Sequence, residues 1–330
     1  MGLTSGELLS SGEKILTAAG VGEHGANAKA LLCFVLSIDK ATLFLNRAAE
    51  IGEEQSEAFF GLIDRRASGE PLQYITGEQY FFGHRFSVDP SVLIPRPETE
   101  LLAEKAIEYL RARAGAKTVL DLCTGCGALA VSIAKACPQI LVTASDLSQD
   151  ALSVAGNNAA TLGVSDRIGF IKSDLFCALT YHANHGDGEH KRDGSFCVPV
   201  LEGSANHGDG AFDRYHGDGP FDRPEYDLIV TNPPYIRTGE LAGLAREIRD
   251  HEPLTALDGG ADGLDFYRRI AKDAPGFLRD GAAIMAEIGY DQGEAVSALF
   301  IASGFTCVEL FKDLSGLDRI LTAVRHKETA

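Results

Sequence analysis

A chain of 330 residues with 45% hydrophobic content can bury one sizeable core and a smaller second one, so two globular domains are expected and disorder of the whole chain is excluded. The formal net charge of -17 disfavours a long polyphosphate partner, because tight nucleic-acid binding needs Lys and Arg to displace counterions, and no stable nucleic-acid partner is expected although a local basic cleft stays open. No apolar run approaches the roughly 18 to 20 residues of a membrane span, the N-terminus lacks the basic-then-apolar order of a signal peptide, and the seven scattered cysteines suit reduced thiols, so a soluble cytoplasmic protein is expected.

From Leu8 to about Gly77, Leu31, Leu32, Phe34, Val35 and Ile38, then Phe59, Phe60, Leu62 and Ile63, recur at spacings that make apolar helix faces. A small helical domain is predicted over residues 1–79. Between 80 and 95 the alternating Phe86 and Val88 and the run Val92-Leu93-Ile94, punctuated by Asp89-Pro90, predict a hairpin linker. Residues 96–330 then open with a helix, Glu98 to Ala114, followed by strand candidates at Thr118–Leu122, Leu141–Asp146, Ile168–Lys172, Asp227–Thr231, Ala282–Ile288, Thr306–Leu310 and Arg319–Val324. Strands interleaved with helices predict an α/β fold with a doubly wound, parallel sheet whose ligands sit at the carboxyl ends of the strands.

One stretch, 177–224, does not fit that alternation. It is rich in Gly, His and Asp and carries His-Gly-Asp-Gly at His185, His207 and His216, the last two heading a near tandem repeat of nine residues. A disordered surface insert is expected. Its histidines (His182, His185, His190, His207 and His216) could bind a metal, but nothing fixes their geometry, so a solvated linker is preferred and no metal is assigned.

The first strand ends in Asp121-Leu-Cys-Thr-Gly-Cys-Gly127, a glycine loop that opens a helix at Ala128, and Asp146 closes the next strand. Glycines let the backbone approach a cofactor, and a carboxylate at the second strand end can accept from a ribose diol. Alone, this would serve a nicotinamide cofactor nearly as well as S-adenosylmethionine. Cys123 and Cys126 also form a C-x-x-C that can be a redox pair; the preferred reading is that small thiols fill a tight turn. The decisive element is Asn232-Pro-Pro-Tyr235, directly after the apolar strand Leu228-Ile-Val-Thr231. Two prolines end the strand and stiffen the loop, so Asn232 Oδ1 and the Pro233 carbonyl become two aimed, neutral acceptors. Such a pair is what a planar amide or amine nitrogen needs, because accepting both of its N–H groups favours lone-pair character on nitrogen. Tyr235 would cover the flat face of the substrate and exclude water. The competing reading is an ordinary surface turn, but three features at consecutive strand ends outweigh it.

Glycine loop and Asn-Pro-Pro-Tyr together resemble class I methyltransferases acting on planar nitrogen. The strings Gly69-Glu-Pro-Leu-Gln-Tyr-Ile-Thr-Gly77, Leu93-Ile-Pro-Arg-Pro-Glu-Thr-Glu100, His251-Glu-Pro-Leu-Thr-Ala-Leu-Asp258 and Asp313-Leu-Ser-Gly-Leu-Asp-Arg319 are similar to the release factor glutamine methyltransferases, over about residues 60–324. The resemblance implies a helical N-terminal domain, a hairpin and a seven-stranded, mostly parallel methyltransferase sheet. It further implies transfer of a methyl group from S-adenosylmethionine to the glutamine N5 of the Gly-Gly-Gln motif in peptide-chain release factors. By motif position Cys123, Thr124, Gly125, Cys126, Gly127, Asp146, Leu175 and Asn232 would hold the cofactor; Asn232, Pro233, Pro234 and Tyr235 would hold the glutamine, with Asn232, Pro233 and Tyr235 catalytic. The family pattern commonly has Gly, then Ser or Thr, where this chain has Cys123 and Cys126. The insert before Asn232 is not typical of it either. The alternative substrate is the N6 amine of adenine in DNA or RNA, flipped into the same four residues. Arg96 between two prolines either frames the site entrance or simply pairs with Glu98 or Glu100, and Glu252–Asp258 is read as a loop near the cofactor in preference to a purely structural turn. Glu287 and Asp318 are read as structural.

Overall fold

A computed structural model describes residues 2–115, 117–179 and 225–326. The part of the expected insert from 180 to 224, with its histidines and its three His-Gly-Asp-Gly copies, lies outside the described residues. The chain divides into two compact units, Met1–Gln79 with Val88–Pro90 and Ala242–Glu252, and Tyr80–Ser87 with Ser91–Leu241 and Pro253–Ala330.

The first unit is helical: α1 (Ser5–Ala18), α2 (His24–Leu36), α3 (Lys40–Leu45), α4 (Glu53–Ala67) and α5 (Leu72–Thr76). Thr4 and Glu7 form a capping box that satisfies the first free amides of α1, and Asp39 Oδ1 accepts from the Thr42 amide at 2.7 Å to start α3. Leu8, Leu16, Leu31, Leu32, Phe59 and Ile63 are fully buried between the helices. Helices α1 and α4 approach closely because position 12 is glycine, where a Cβ would sit 2.7 Å from the Phe59 ring. Segment Ala242–Glu252 belongs to this unit through Arg66, a buried guanidinium that donates to Asn27 Oδ1 (2.8 Å), the Glu70 carbonyl (3.0 Å) and Glu247 Oε2 (2.5 Å). A buried cation is held only when its donors find such acceptors.

Next come β1 (Glu78–Phe81) and β2 (His84–Ser87), a hairpin closed by Phe82 (φ 49°) and Gly83 (φ 76°), the positive-φ pair that suits the twist of a two-residue turn. The hairpin is shorter than the sequence suggests. Val92-Leu93-Ile94 forms no strand, because Pro90, Pro95 and Pro97 interrupt any ladder, although Val92 and Ile94 are buried.

The rest alternates: α6 (Thr99–Arg111), β3 (Lys117–Leu122), α7 (Ala128–Ala136), β4 (Ile140–Asp146), α8 (Gln149–Thr161), β5 (Ile168–Lys172), β6 (Tyr226–Thr231), α9 (Arg246–Arg249), α10 (Asp265–Asp273), β7 (Leu278–Glu287), α11 (Gly293–Ala302), β8 (Phe305–Lys312) and β9 (Asp318–Arg325). The sheet order is β5-β4-β3-β6-β7-β9-β8, parallel throughout except at β9, which runs antiparallel to both neighbours. This is the doubly wound, mostly parallel sheet of seven strands that the sequence predicts. Its central strands are covered on both faces, so β3 and β6 read as near-continuous apolar runs; Val119, Leu120, Leu122, Leu228, Ile229 and Val230 are fully buried. The order reverses between β3 and β6, the switch point where such sheets open a crevice. Leu122 pairs with both Ser145 and Thr231, so the loops after β3, β4 and β6 start level with one another. Among the described residues no helix is long and apolar enough to cross a membrane.

Candidate active site

The loop after β3 is held from beneath by Asp121. Its Oδ2 accepts from the Thr124 hydroxyl at 2.6 Å and from the Ala130 amide at 3.1 Å, and the Thr124 amide donates to the Ser145 carbonyl at 3.0 Å. Burial pushes the Asp121 carboxyl up to about 7, against those two hydrogen bonds. The loop needs left-handed backbone at Cys123 (φ 60°), Gly125 (φ 55°) and Gly127 (φ 82°). At Gly127 a Cβ would sit 3.0 Å from the Ala155 Cβ; at Gly125 it would meet nothing within 4 Å. Gly127 therefore serves the packing of the loop on α8, whereas Gly125 faces open space, as a ligand cradle requires.

The glycine loop and the acid predicted beside it are joined. The Gly125 amide donates to Asp146 Oδ2 and the Ser148 amide to Oδ1, both at 2.9 Å. Each oxygen keeps a lone pair. The Ser173 amide donates to the Asp146 carbonyl at 2.9 Å, and its hydroxyl to the Leu175 carbonyl at 2.6 Å, which fixes buried Leu175 in a left-handed conformation (φ 51°). The structure thus brings Cys123–Gly127, Asp146 and Leu175 to one end of the sheet. Two of these residues turn inward: the Thr124 hydroxyl is occupied by Asp121 and the Cys126 side chain is buried, so what they present to a ligand is backbone. Cys123 and Cys126 are free thiols, both pushed up by burial, Cys126 to about 12. Neither forms a thiolate near neutral pH, which removes the basis for a redox pair.

Asn232, Pro233, Pro234 and Tyr235 leave β6 beside this loop. Thr231 Oγ1 donates to the Leu122 carbonyl at 3.0 Å, tying the two strand ends together. Both prolines are buried and Asn232 and Tyr235 partly so. Asn232 Nδ2 donates to Thr99 Oγ1 at 3.2 Å, and the Tyr235 hydroxyl makes a long, 3.4 Å hydrogen bond to Glu287 Oε1. Burial and then the Glu287 charge push the tyrosine up, so it stays neutral.

Behind Tyr235 the loop is braced. Gln292 Nε2 donates to the Tyr235 carbonyl at 3.0 Å and Gln292 Oε1 accepts from the Gly289 amide at 3.0 Å. The Ile236 amide donates to the Leu257 carbonyl at 3.0 Å, and the Gly259 amide returns to the Ile236 carbonyl at 2.8 Å. A Cβ at Gly259 would lie 2.7 Å from the Tyr235 Cα. In these contacts Leu257–Gly259 serves as a brace for the Asn-Pro-Pro-Tyr loop, the structural role weighed as the alternative for Glu252–Asp258. Sequence reasoning also missed Thr99, Asn158 and Gln292, and it gave Glu287 a purely structural place. Asn158 Nδ2 donates to the Ser87 and Cys126 carbonyls, both at 2.9 Å, while its Oδ1 accepts from the Ser87 amide at 2.7 Å, locking β2 to the glycine loop. The signal available for Thr99 was its place inside Pro97-Glu-Thr-Glu100; the other three carried none outside their surroundings in the fold.

Comparison with known proteins bears on this geometry. The PrmC N-terminal domain family matches residues 7–77 and the methyltransferase small domain family matches residues 98–185. A protein of Clostridium acetobutylicum named release factor glutamine methyltransferase is 36% identical over 299 residues, 91% of this chain and 90% of that protein. The chain belongs to the release factor glutamine methyltransferase family. A Cereibacter sphaeroides protein of the same name is 38% identical over 309 residues, covering 93% of this chain and 94% of that one. A solved protein-(glutamine-N5) methyltransferase (release factor-specific) from Alicyclobacillus acidocaldarius is 30% identical, with 73% of this chain and 100% of that chain covered and a TM-score of 0.39. Family membership makes the chain a methyltransferase and favours glutamine over adenine.

Proposed function

We propose that this methyltransferase transfers a methyl group from S-adenosylmethionine to the side-chain amide nitrogen of the glutamine in the Gly-Gly-Gln motif of peptide-chain release factors. The observation that carries the reading is the placement of Asn232, whose Nδ2 is engaged by Thr99 so that Oδ1 is left as an acceptor, level with the glycine loop on the neighbouring strand.

The donor site fits. Gly125 lines open space, Asp146 has lone pairs for a ribose diol, and buried Leu175 is hydrogen-bonded through Ser173 to the same strand end. The backbone from Cys123 to Gly127, with Asp146, Leu175 and Asn232, would hold S-adenosylmethionine, which supplies an electrophilic methyl group when bound. Asn232 Oδ1 and the Pro233 carbonyl would each accept one N–H of the glutamine amide. Both acceptors are neutral and weakly basic, so they direct the hydrogens while the nitrogen lone pair is aimed where the methyl arrives; the surplus proton on the methylated nitrogen, a very strong acid there, is then lost to solvent water. Pro234 stiffens the loop, and Tyr235 closes over the amide and excludes water. Positioning of this kind supplies on the order of 7 kcal/mol or more of the barrier. The six described cysteines are all free thiols, in keeping with a reducing, cytoplasmic setting.

The test is transfer of labelled methyl from S-adenosylmethionine to a purified release factor, beside a Gln→Ala version of its Gly-Gly-Gln motif and duplex DNA. Label on the intact factor alone is expected; label on DNA, or equally on the altered factor, overturns the substrate. Asn232→Ala is expected to abolish transfer while largely sparing donor binding.

A further inference from the structure

The turn between β8 and β9 projects at the end of the sheet where the glutamine acceptors sit. β9 runs antiparallel to β7, with Ile320 opposite Glu287, so the turn that precedes β9 lies beyond the carboxyl end of β7. Thr231 of β6 stands opposite Ala286 at that same end. The turn, within Asp313-Leu-Ser-Gly-Leu-Asp-Arg319, is framed by Asp313. Its Oδ1 accepts from the Ser315 amide at 2.8 Å and the Leu317 amide at 3.0 Å, and its Oδ2 from Arg319 Nε at 2.9 Å. The Asp313 amide donates to the Leu317 carbonyl at 2.8 Å and the Gly316 amide to the Asp313 carbonyl at 2.9 Å. What this fixed frame presents is apolar: Leu314 is fully exposed, and Leu317 is exposed beside it in the chain.

A single exposed leucine needs no explanation, but this one is joined to other apolar side chains and to the substrate loop. Gln292, which bonds the Tyr235 carbonyl, closes the turn Gly289–Gln292, and Tyr290 stands in that turn 59% exposed. The next residue, Gly293, starts α11 against the base of the hairpin, since a Cβ there would lie 2.8 Å from Asp318 Oδ2 and 2.9 Å from Leu310 Cδ1. Leu310 is itself exposed. The Ile288 amide donates to the Arg319 carbonyl at 2.8 Å, fixing the hairpin to the end of β7. Charged side chains among these residues are paired with one another: Arg237 with Asp291 at 2.8 Å, Lys312 with Asp318 at 2.6 Å and Arg319 with Asp313 at 2.9 Å. The surface therefore offers a partner apolar contact rather than one sign of charge.

We propose that Tyr290, Leu310, Leu314 and Leu317 form the docking surface for an apolar segment of the release factor beside its Gly-Gly-Gln motif. This rests on the release factor being the substrate. Asn232 and Pro233 meet only a side-chain amide, and the two glycines before the glutamine carry no side chain to hold. The protein that bears the glutamine must therefore be held outside the amide site, and this surface is tied to the substrate loop through Gln292. Both turns are already fixed by their own hydrogen bonds, so docking orders no new segment of this chain.

The experiment measures kcat and KM for a purified release factor, and the KM for S-adenosylmethionine, in full-length wild type, Leu314→Ser, Tyr290→Ser, Ile301→Ser and Asn232→Ala, with sedimentation of each chain alone. Ile301, 60% exposed toward the other end of α11, is the control for loss of an exposed apolar side chain. Leu314→Ser, which removes no buried group, is expected to raise the KM for the release factor about tenfold, the effect of uncovering one leucine at an interface. The kcat at saturating release factor and the KM for S-adenosylmethionine stay unchanged. Tyr290→Ser is expected to act in the same direction and Ile301→Ser to change neither constant. An unchanged KM in Leu314→Ser, or an equal rise in Ile301→Ser, overturns the surface, while inactive Asn232→Ala beside an active wild type leaves the glutamine site standing. A wild type that sediments as a dimer, with Leu314→Ser monomeric and its KM unchanged, overturns it in favour of a second copy of the chain. A wild type that does not methylate the release factor overturns the substrate and the surface together.

Discussion

The backbone amide of Gly125 donates to Asp146 Oδ2 at 2.9 Å, which makes the loop after β3 and the acid ending β4 one hydrogen-bonded unit. With Ser148 donating to the other oxygen, both Asp146 oxygens must accept. Asn at this position sets its NH2 against one of the two amides, so Asp146→Asn deforms the cradle and removes a ribose acceptor at once. Donor affinity is expected to fall about 10- to 100-fold, the equivalent of roughly 1.5–3 kcal/mol for a charged hydrogen bond. The KM for the release factor should change little, and calorimetric titration of S-adenosylmethionine checks the first half of the statement.

Gly125 and Gly127 separate ligand space from packing space. Both need positive φ, so alanine costs each about 1–2 kcal/mol in backbone strain. Only at Gly127 does the new methyl also press on Ala155. Gly127→Ala should show the larger fall in melting temperature, and Gly125→Ala the larger loss of donor affinity for its loss of stability. Equal losses in both properties would argue that the space above Gly125 is not the donor site.

Much of the fold was legible because its signals are local. The alternation of apolar strands with helical faces marks β3 to β6, and Asn232-Pro-Pro-Tyr235 marks its own strand end. Asp146 could be placed at a strand terminus for the same reason, from the apolar run that precedes it. Thr99 and Glu287 could not be. They are nearly 190 residues apart, and their contacts with Asn232 and Tyr235 exist only once α6 and β7 meet the loop after β6. The 80–95 linker misled for a different reason: Val92-Leu93-Ile94 has the hydrophobicity of a strand, but surrounding prolines withhold the amides that a ladder needs.

Asn158 holds β2 against the glycine loop with three hydrogen bonds. Asn158→Ala removes the partner of the Ser87 amide and carbonyl and of the buried Cys126 carbonyl, at a cost of about 1–3 kcal/mol for each unsatisfied group that solvent cannot reach. A loss of roughly 1–3 kcal/mol in urea unfolding is expected, because Ser87 is exposed and water can replace its two bonds, leaving the Cys126 carbonyl as the costly group. Asn158→Asp should be comparably damaging, since a carboxylate meets two carbonyl oxygens there.

Asp121 links the same loop to pH. Its folded carboxyl is raised from 3.8 to about 7 by burial, with the nearby Asp146 charge adding to the rise. A raised carboxyl favours folding when protonated, so its contribution is complete below about pH 4, is lost as pH climbs, and is gone above about 7. The displacement corresponds to roughly 4 kcal/mol as an upper figure. Oδ2 takes both hydrogen bonds and Oδ1 has no partner among the described residues. Asparagine can therefore put its oxygen where the two donors are and its NH2 where nothing is bonded. Asp121→Asn should thus gain on the wild type steadily between pH 4 and 7 in urea unfolding without the methyl donor, then run parallel to it. Parallel curves over the whole range would mean that Asp121 is already ionised at pH 4 and that burial does not control its charge.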